Sequence, residues 1–187
     1  MWGRGNALAA LGRHQEARQA YDEAIKIAPR NVDAWVGRGD ALRKQGYYWK
    51  ALEAFDKATK LDPQHEGARV GRGDALRKLG RHEEALQAYD EAIEINPQHV
   101  NAWGGRGTTS RELDCPQEAL LAYEEARQAL DEAIKVDPRN ADVWYLKGLM
   151  LCVLERPADA REALHKALEL GSSEAREALE DMNREGH

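Results

Sequence analysis

The sequence predicts an all-α fold, a solenoid of about five helix-turn-helix repeats. Three kinds of residue recur with a step of 34 positions up to residue 123, and the next unit follows after 41. These residues are a proline, an alanine and an aromatic residue. The three columns are Pro29, Pro63 and Pro97; Ala17, Ala51, Ala85 and Ala119; and Tyr21, Phe55, Tyr89 and Tyr123. Because short helices are marginal alone in water, each unit must bury its apolar stripe on its neighbours.

The pattern of residues within one repeat identifies a family more specifically than the 34-residue repeat length does. With Val32 as position 1, characteristic residues fall at positions 4, 8, 11, 15, 20, 24, 27 and 32. They are Trp35, Gly39, Leu42, Gly46, Ala51, Phe55, Ala58 and Pro63. This pattern resembles the tetratricopeptide repeat (TPR) family. The resemblance covers essentially the whole chain and implies a right-handed α-solenoid that binds proteins or peptides.

The repeat positions predict the domain organisation. We expect a single domain over residues 1–187, with repeats at 1–31 (truncated), 32–65, 66–99, 100–140 and 141–174, and a capping helix at 173–184. The first repeat begins at its own position 4, where Met1 replaces the usual tryptophan. In the second repeat, helices are expected from Val32 to Gln45, ended by Gly46 in a left-handed conformation, and from Tyr48 to Leu61. Eleven helices are predicted.

The fourth repeat is seven residues longer than the others. Its segment 125–136 (EARQALDEAIKV) closely repeats 16–27 (EARQAYDEAIKI), which indicates a heptad inserted in the second helix. Seven residues are about two turns, or about 10.5 Å, so this helix is expected to run from Pro116 to Val136 with the same face apolar. The insertion is either neutral, changing only local geometry, or functional, forming a ledge beside a partner site.

Arg69 replaces the position-4 tryptophan in the third repeat. Its aliphatic stem can cover part of the same surface while its charge stays in water. We therefore expect a local weakening at this repeat rather than a break.

Composition excludes several classes of function. The net charge is -6, from 33 acidic and 27 basic residues, which argues against a nucleic-acid-binding protein. No secretion signal or membrane span is recognisable, and the two cysteines, Cys115 and Cys152, form neither a disulfide framework nor a zinc motif. We expect a cytoplasmic protein with no metal, no cofactor and no enzymatic activity.

The resemblance implies where a ligand binds. In TPR proteins, positions 2, 5, 9, 12 and 13 of the first helices commonly face a groove. Carried over to this chain, they give Asn6, Asp40, Arg43, Lys44, Asp74, Arg77, Lys78, Thr108, Arg111, Tyr145, Leu149 and Cys152. The family's clamp for chaperone tails needs lysine where this chain has Trp2, Val36 and Val70, so such tails are not the expected ligand.

Two interpretations of the arginines stay open. Asp40 and Asp74 can pair with basic residues of their own helices, which would make this face a self-neutralised wall. Alternatively, Arg77, Lys78 and especially Arg111 hold carboxylates of an extended peptide.

The first helix of the fifth repeat is apolar on nearly every side, over residues 142–154. Tyr145, Leu149, Cys152 and Val153 fall on its groove face. They form either an exposed patch for a bulky ligand side chain or a surface covered by the lengthened helix or the capping helix.

Gly-Arg-Gly recurs at 3–5, 37–39, 71–73 and 105–107, inside the first helices. With no preceding strand, it does not indicate a phosphate-binding loop. At position 8 the glycine is expected to allow close helix packing. At position 6, together with Gly104, it predicts a shallow groove floor.

These observations predict a non-catalytic protein-interaction scaffold that binds a peptide or partner segment in the concave groove. The alternative is a structural scaffold that self-assembles through its terminal repeats, because the first repeat is incomplete. A third hypothesis, nucleic-acid binding, rests only on the arginines and conflicts with the net charge.

Overall fold

The computed structural model describes residues 2–184, and these residues form eleven α-helices and no strand. In chain order, α1 to α11 span Trp2–Ala10, His14–Ile27, Val32–Lys44, Tyr48–Leu61, Glu66–Lys78, His82–Ile95, Val100–Glu112, Pro116–Val136, Ala141–Val153, Pro157–Glu169 and Glu174–Arg184. The predicted all-α fold is confirmed. Met1, the start of the predicted first repeat, lies outside the described residues.

The helices group into two compact units, Met1–Asn96 (unit 1) and Pro97–His187 (unit 2). Unit 1 holds α1 to α6 and unit 2 holds α7 to α11. Within each unit, consecutive helices pack against each other. The single domain over residues 1–187 and its repeat boundaries stay predictions, and each unit is described by itself below.

A residue in the left-handed conformation follows the first helices, as the sequence predicts for Gly46. Gly46 has φ +80°, and the Tyr47 amide donates to the Leu42 carbonyl at 2.9 Å, which satisfies a carbonyl at the end of α3. In unit 2 the same left-handed position is held by Asp114 (φ 60°) and Glu155 (φ 54°) without glycine.

Two of the histidines stand at the starts of first helices, where their side chains accept backbone hydrogen bonds. The Asn31 side chain accepts a hydrogen bond from the Ala34 amide at 3.0 Å. His65 and His99 accept the equivalent bonds through Nδ1, at 3.1 and 3.3 Å. These histidines cap helices, which accounts for their recurrence at one repeat position.

Two aromatic residues at position 24 of unit 1, Tyr21 and Phe55, each pack between two repeats. The Tyr21 ring lies over Gly5 of its own repeat and Gly37 of the next, and Phe55 lies over Gly39 and Gly71. A Cβ atom at Gly37 would lie 2.4 Å from Tyr21 Cζ. The expectation that position-6 glycines form a groove floor is therefore wrong for Gly37 and Gly71, because an aromatic ring occupies that space.

An ion pair repeats at the same junctions. Arg38 Nε donates to Asp22 at 2.6 Å, and Arg72 Nε donates to Asp56 at 2.8 Å. Both pairs join residues 16 apart, from the second helix of one repeat to the first helix of the next. Each of these two junctions in unit 1 thus combines an aromatic ring on glycine with an aspartate on arginine.

The position-4 tryptophan ties its helix to the preceding loop. The Trp35 indole donates to the Pro29 carbonyl at 2.9 Å, and Trp103 and Trp144 repeat this bond. Arg69 donates through Nε to the Pro63 carbonyl at 2.9 Å and also pairs with Glu91. The substitution keeps the hydrogen bond of the indole, which argues against the expected local weakening.

Helix α8 has the predicted bounds, Pro116–Val136, and its two halves contact different helices. In the first half, Tyr123 packs on Gly107 of α7 and donates to Thr108 at 3.3 Å. In the second half, Asp131 accepts from Lys147 of α9 at 2.7 Å, and Leu130 is buried. The insertion thus separates the aromatic contact of Tyr123 with α7 from the ion pair of Asp131 with α9, which adjacent residues make in unit 1.

The last helix closes the apolar core of unit 2. Leu179 and Met182 of α11 pack in one cluster with Leu151 and Leu164. Exposed positions of α11 carry charged side chains such as Glu180 and Arg184. The sequence predicts a capping helix at about 173–184, and α11 occupies Glu174–Arg184.

Ser110 of α7 places a polar side chain in the apolar core. It occupies position 11, where other repeats place Leu42 or Leu76, and its fully buried hydroxyl has no hydrogen-bond partner among residues 2–184. Replacing it by alanine (Ser110→Ala) should raise the free energy of unfolding by about 1 kcal/mol. Thr109→Val serves as the control, because the Thr109 hydroxyl donates to the Gly105 carbonyl at 2.8 Å. In chemical denaturation, equal effects of the two substitutions would contradict the prediction.

Candidate peptide-binding faces

Positions 9 and 12 of the first helices in unit 1 form a hydrogen-bonded network. The Tyr21 hydroxyl donates to Asn6 at 2.7 Å, and the Tyr89 hydroxyl donates to Asp74 at 2.7 Å. Burial, and then the Asp74 carboxylate, raise the pKa of Tyr89 far above its ordinary value, so the hydroxyl remains a donor. Asn6 and Asp74 therefore accept hydrogen bonds from the protein itself.

Arg43 joins two repeats within this face. Its guanidinium lies 3.0 Å from Asp40 in the same helix and 3.3 Å from Asp74 in α5. Burial acts to lower the pKa of Arg43, but Asp74 and Asp40 outweigh it and raise the pKa above its ordinary value. With two carboxylates already bound, Arg43 fits the self-neutralised interpretation.

The remaining basic residues of unit 1 differ in exposure. Arg77 is half-buried and interacts with the Tyr89 hydroxyl. Lys44 and Lys78 are exposed in the last turns of α3 and α5. These two lysines are the basic groups that unit 1 presents to solvent at the predicted groove positions.

Unit 2 presents a different pair of features. Thr108, where the second and third repeats have an aspartate, donates to the Gly104 carbonyl at 2.9 Å in its own helix. Arg111, one turn later, is exposed and forms no ion pair with any residue from 2 to 184. Its guanidinium is available to an external carboxylate.

The predicted apolar patch on α9 is partly covered. Tyr145 packs against the α10–α11 core, and Cys152 Sγ lies 3.8 Å from Met182 Sδ in α11. Leu149 is 36% exposed and Val153 is 43% exposed. Both alternatives from the sequence thus apply to part of the patch: the capping helix contacts Cys152, and Leu149 and Val153 remain accessible.

The sequence profile of the tetratricopeptide repeat family matches residues 3–66, 36–100 and 117–175. The chain belongs to the tetratricopeptide repeat family. A comparison with curated protein sequences found no match.

Solved structures of other TPR proteins share the fold. TTC0263, a thermophilic TPR protein in Thermus thermophilus, is similar with a TM-score of 0.74 and 21% identity, over 95% of this chain and 94% of that chain. MamA is similar with a TM-score of 0.60 and 23% identity, over 92% of this chain and 96% of that chain. YrrB, described as a TPR protein with an unusual peptide-binding site, has a TM-score of 0.56 and 24% identity, over 93% and 87%. At these identities the likeness shows the fold alone.

The part of this TPR protein that the structure describes offers no metal centre. Residues 2–184 hold no group of three or more His, Cys, Asp or Glu side chains arranged to bind a metal ion. None of the described helices is long and apolar enough to cross a membrane. A recess of about 640 Å³ lies beside the second half of α8, where polar side chains such as Glu132 and Lys135 pair with each other at 2.6 Å.

Sequence reasoning alone missed which groove residues of this TPR protein are already bonded. The contact of Arg43 with Asp74 joins different repeats, so spacing within one helix does not predict it. One signal was present in the sequence: tyrosine at position 24 coincides with Asn6, Asp74 or Thr108 at position 9 of the same repeat. The hydroxyl of each tyrosine bonds that residue.

Proposed function

We propose that this TPR protein is a non-catalytic scaffold that binds a peptide or partner segment on its first-helix faces, in the cytoplasm and without a cofactor. Membership of the TPR family supports a role in protein–protein interaction in general. The finer proposal concerns the ligand: a segment that carries a carboxylate and a bulky apolar side chain.

The observation that carries this proposal is the pairing of features in unit 2. Arg111 on α7 is exposed without an ion pair among residues 2–184, and α9 exposes Leu149 and Val153. An exposed guanidinium can hold a carboxylate by two parallel hydrogen bonds. Exposed leucine and valine side chains offer an apolar surface to a bulky side chain of the same bound segment.

Peptide selection tests the proposal without knowledge of the natural partner. A random peptide library displayed on phage is selected on the full chain, and the affinity of the selected peptides is measured by fluorescence anisotropy. Selected peptides should share an acidic and a bulky apolar residue. Arg111→Glu and Leu149→Asp should each weaken binding about tenfold or more, which corresponds to about 1.4 kcal/mol.

A matched charge reversal provides the control. Arg139→Glu changes an exposed arginine of unit 2 in a loop and should leave affinity unchanged. Arg77→Glu tests whether unit 1 contributes to the same site. The proposal is wrong if the selected peptides are basic, or if reversal of both Arg77 and Arg111 leaves their binding unchanged.

Self-assembly is the second candidate function, and one observation on α1 favours it. Apart from its chain neighbours and its own helix backbone, no atom of residues 2–184 lies within 4 Å of a Cβ built at Gly3, and Arg4 is exposed. In α3 the equivalent residues, Gly37 and Arg38, contact the neighbouring repeat. Light scattering coupled to size exclusion over a concentration series separates the two functions, because a monomer at every concentration would contradict self-assembly.

A further inference from the structure

The first half of α8 carries an unfilled repeat junction. We call this surface the α8 overhang and define it by Leu120, Leu121 and Glu124. It lies on a second helix, so it is distinct from the first-helix faces proposed above.

The equivalent surface of α4 in unit 1 shows how such a junction is normally filled. Leu52, which corresponds to Leu120, is only 5% exposed. The neighbouring Phe55 lies over Gly71 of α5, and Asp56 accepts a hydrogen bond from Arg72 at 2.8 Å. A glycine followed directly by an arginine therefore completes the junction.

On α8 the following helix, α9, contacts a position further along the helix than α5 does on α4. Helix α9 binds the second half of α8 through Lys147 and Asp131, about two turns beyond the α8 overhang. Leu120 is consequently 55% exposed. Glu124, at the position of Asp56, accepts from Arg127 in its own helix at 2.7 Å instead of from a following repeat.

Leu121 adds a second and independent observation. Its position is polar in the first three repeats, which have Gln19, Glu53 and Gln87. Leu121 is 60% exposed, so the unfilled junction is also more apolar than the surface around the filled ones. Two adjacent exposed leucines beside a carboxylate form a surface with both apolar and charged contacts to offer.

We propose that the α8 overhang binds an amphipathic helix of a partner protein, in which a small residue is followed directly by arginine. The arginine pairs with Glu124 beside Leu120, as Arg72 lies beside Asp56 and Leu52, and the small residue lets the partner helix approach α8 closely. Charge complementarity supports this occupant, because the Asp56 junction is completed by an arginine of the same chemistry. The inserted heptad thus creates a docking site, because it moves α9 about two turns along α8 and leaves the α8 overhang exposed.

A peptide from the chain itself serves as the probe. The sequence of α5, Glu66–Lys78, contains the required Gly71 and Arg72, and a side-chain staple keeps it helical. Fluorescence anisotropy measures its binding to the full chain. We expect saturable binding, weakened about tenfold or more by Leu120→Glu.

A charge swap tests the contact with Glu124. A peptide carrying Arg72→Glu should bind the natural chain several-fold more weakly and should regain affinity for the Glu124→Arg variant. Leu11→Glu, in an exposed turn of unit 1, is the matched control and should not change binding. Circular dichroism checks that each variant remains folded.

Three results would overturn the proposal. They are the absence of saturable binding below about 1 mM, equal binding by the Leu120→Glu and Leu11→Glu variants, and no recovery in the charge swap. If the full chain self-associates without peptide and Leu120→Glu abolishes that association, the occupant is a second copy of this chain instead of a partner protein.

Discussion

Replacing Gly71 by alanine (Gly71→Ala) is expected to lower the free energy of unfolding by about 3 kcal/mol. A Cβ atom at this position would lie 2.3 Å from Phe55 Cε1, far inside van der Waals contact. The ring has little room to move away, because Phe55 is fully buried and a Cβ atom at Gly39 would lie 2.7 Å from the same Cε1 atom. One methyl group therefore forces two repeats apart.

Gly104→Ala is the matched control in a helix interior. A Cβ atom at Gly104 would meet only the Met150 methyl group, at 3.7 Å, which is an ordinary contact. Because alanine favours helix over glycine, this change should raise the free energy of unfolding by up to about 1 kcal/mol. Chemical denaturation followed by circular dichroism measures both variants, and changes of the same sign would contradict the packing argument.

Removal of the inserted heptad should also be strongly destabilising, by about 3 kcal/mol. Deleting residues 124–130 joins Tyr123 to Asp131 and restores a repeat of ordinary length. Tyr123 would then take the place of Leu130 at the junction with α9. Position 6 of α9 is Leu146 instead of glycine, so the tyrosine ring would find its space occupied.

Leu146→Gly distinguishes this explanation from a general effect of shortening α8. In the natural chain, this substitution should lower the free energy of unfolding by about 1 kcal/mol, because glycine weakens a helix interior. In the deletion variant, it should raise the free energy of unfolding, because it makes room for Tyr123. A double-mutant cycle measures the coupling, and additive effects of the two changes would rule out the proposed clash.

Much of the fold could be predicted because the repeat pattern fixes local structure. Gly46 ends α3 in the left-handed conformation, and the duplicated segment 125–136 predicts the length of α8. Both features depend on residues near one another in the chain. Helix ends and lengths are therefore accessible from one sequence.

The candidate site was less predictable because its contacts join separate repeats. Spacing within α3 correctly predicts that Asp40 pairs with Arg43, at 3.0 Å. It does not reveal that Asp74 approaches the same guanidinium, or that α11 reaches Cys152. The position-6 glycines were misinterpreted for the same reason, since the ring that fills the space belongs to the preceding repeat.

The two kinds of junction have a consequence for building chimaeras from this chain. In unit 1 an aromatic residue and an aspartate are matched by glycine and arginine, as in Tyr21-Asp22 with Gly37-Arg38. In unit 2 Asp131 pairs with Lys147, and Leu130 and Leu146 stand in sequence where unit 1 has the aromatic residue and the glycine. Whole repeats can therefore be exchanged only when the two repeats that meet at a boundary both come from the same kind of junction. A library of shuffled repeats should yield folded proteins from matched boundaries, and a mixed boundary should fail even though every repeat in it is natural.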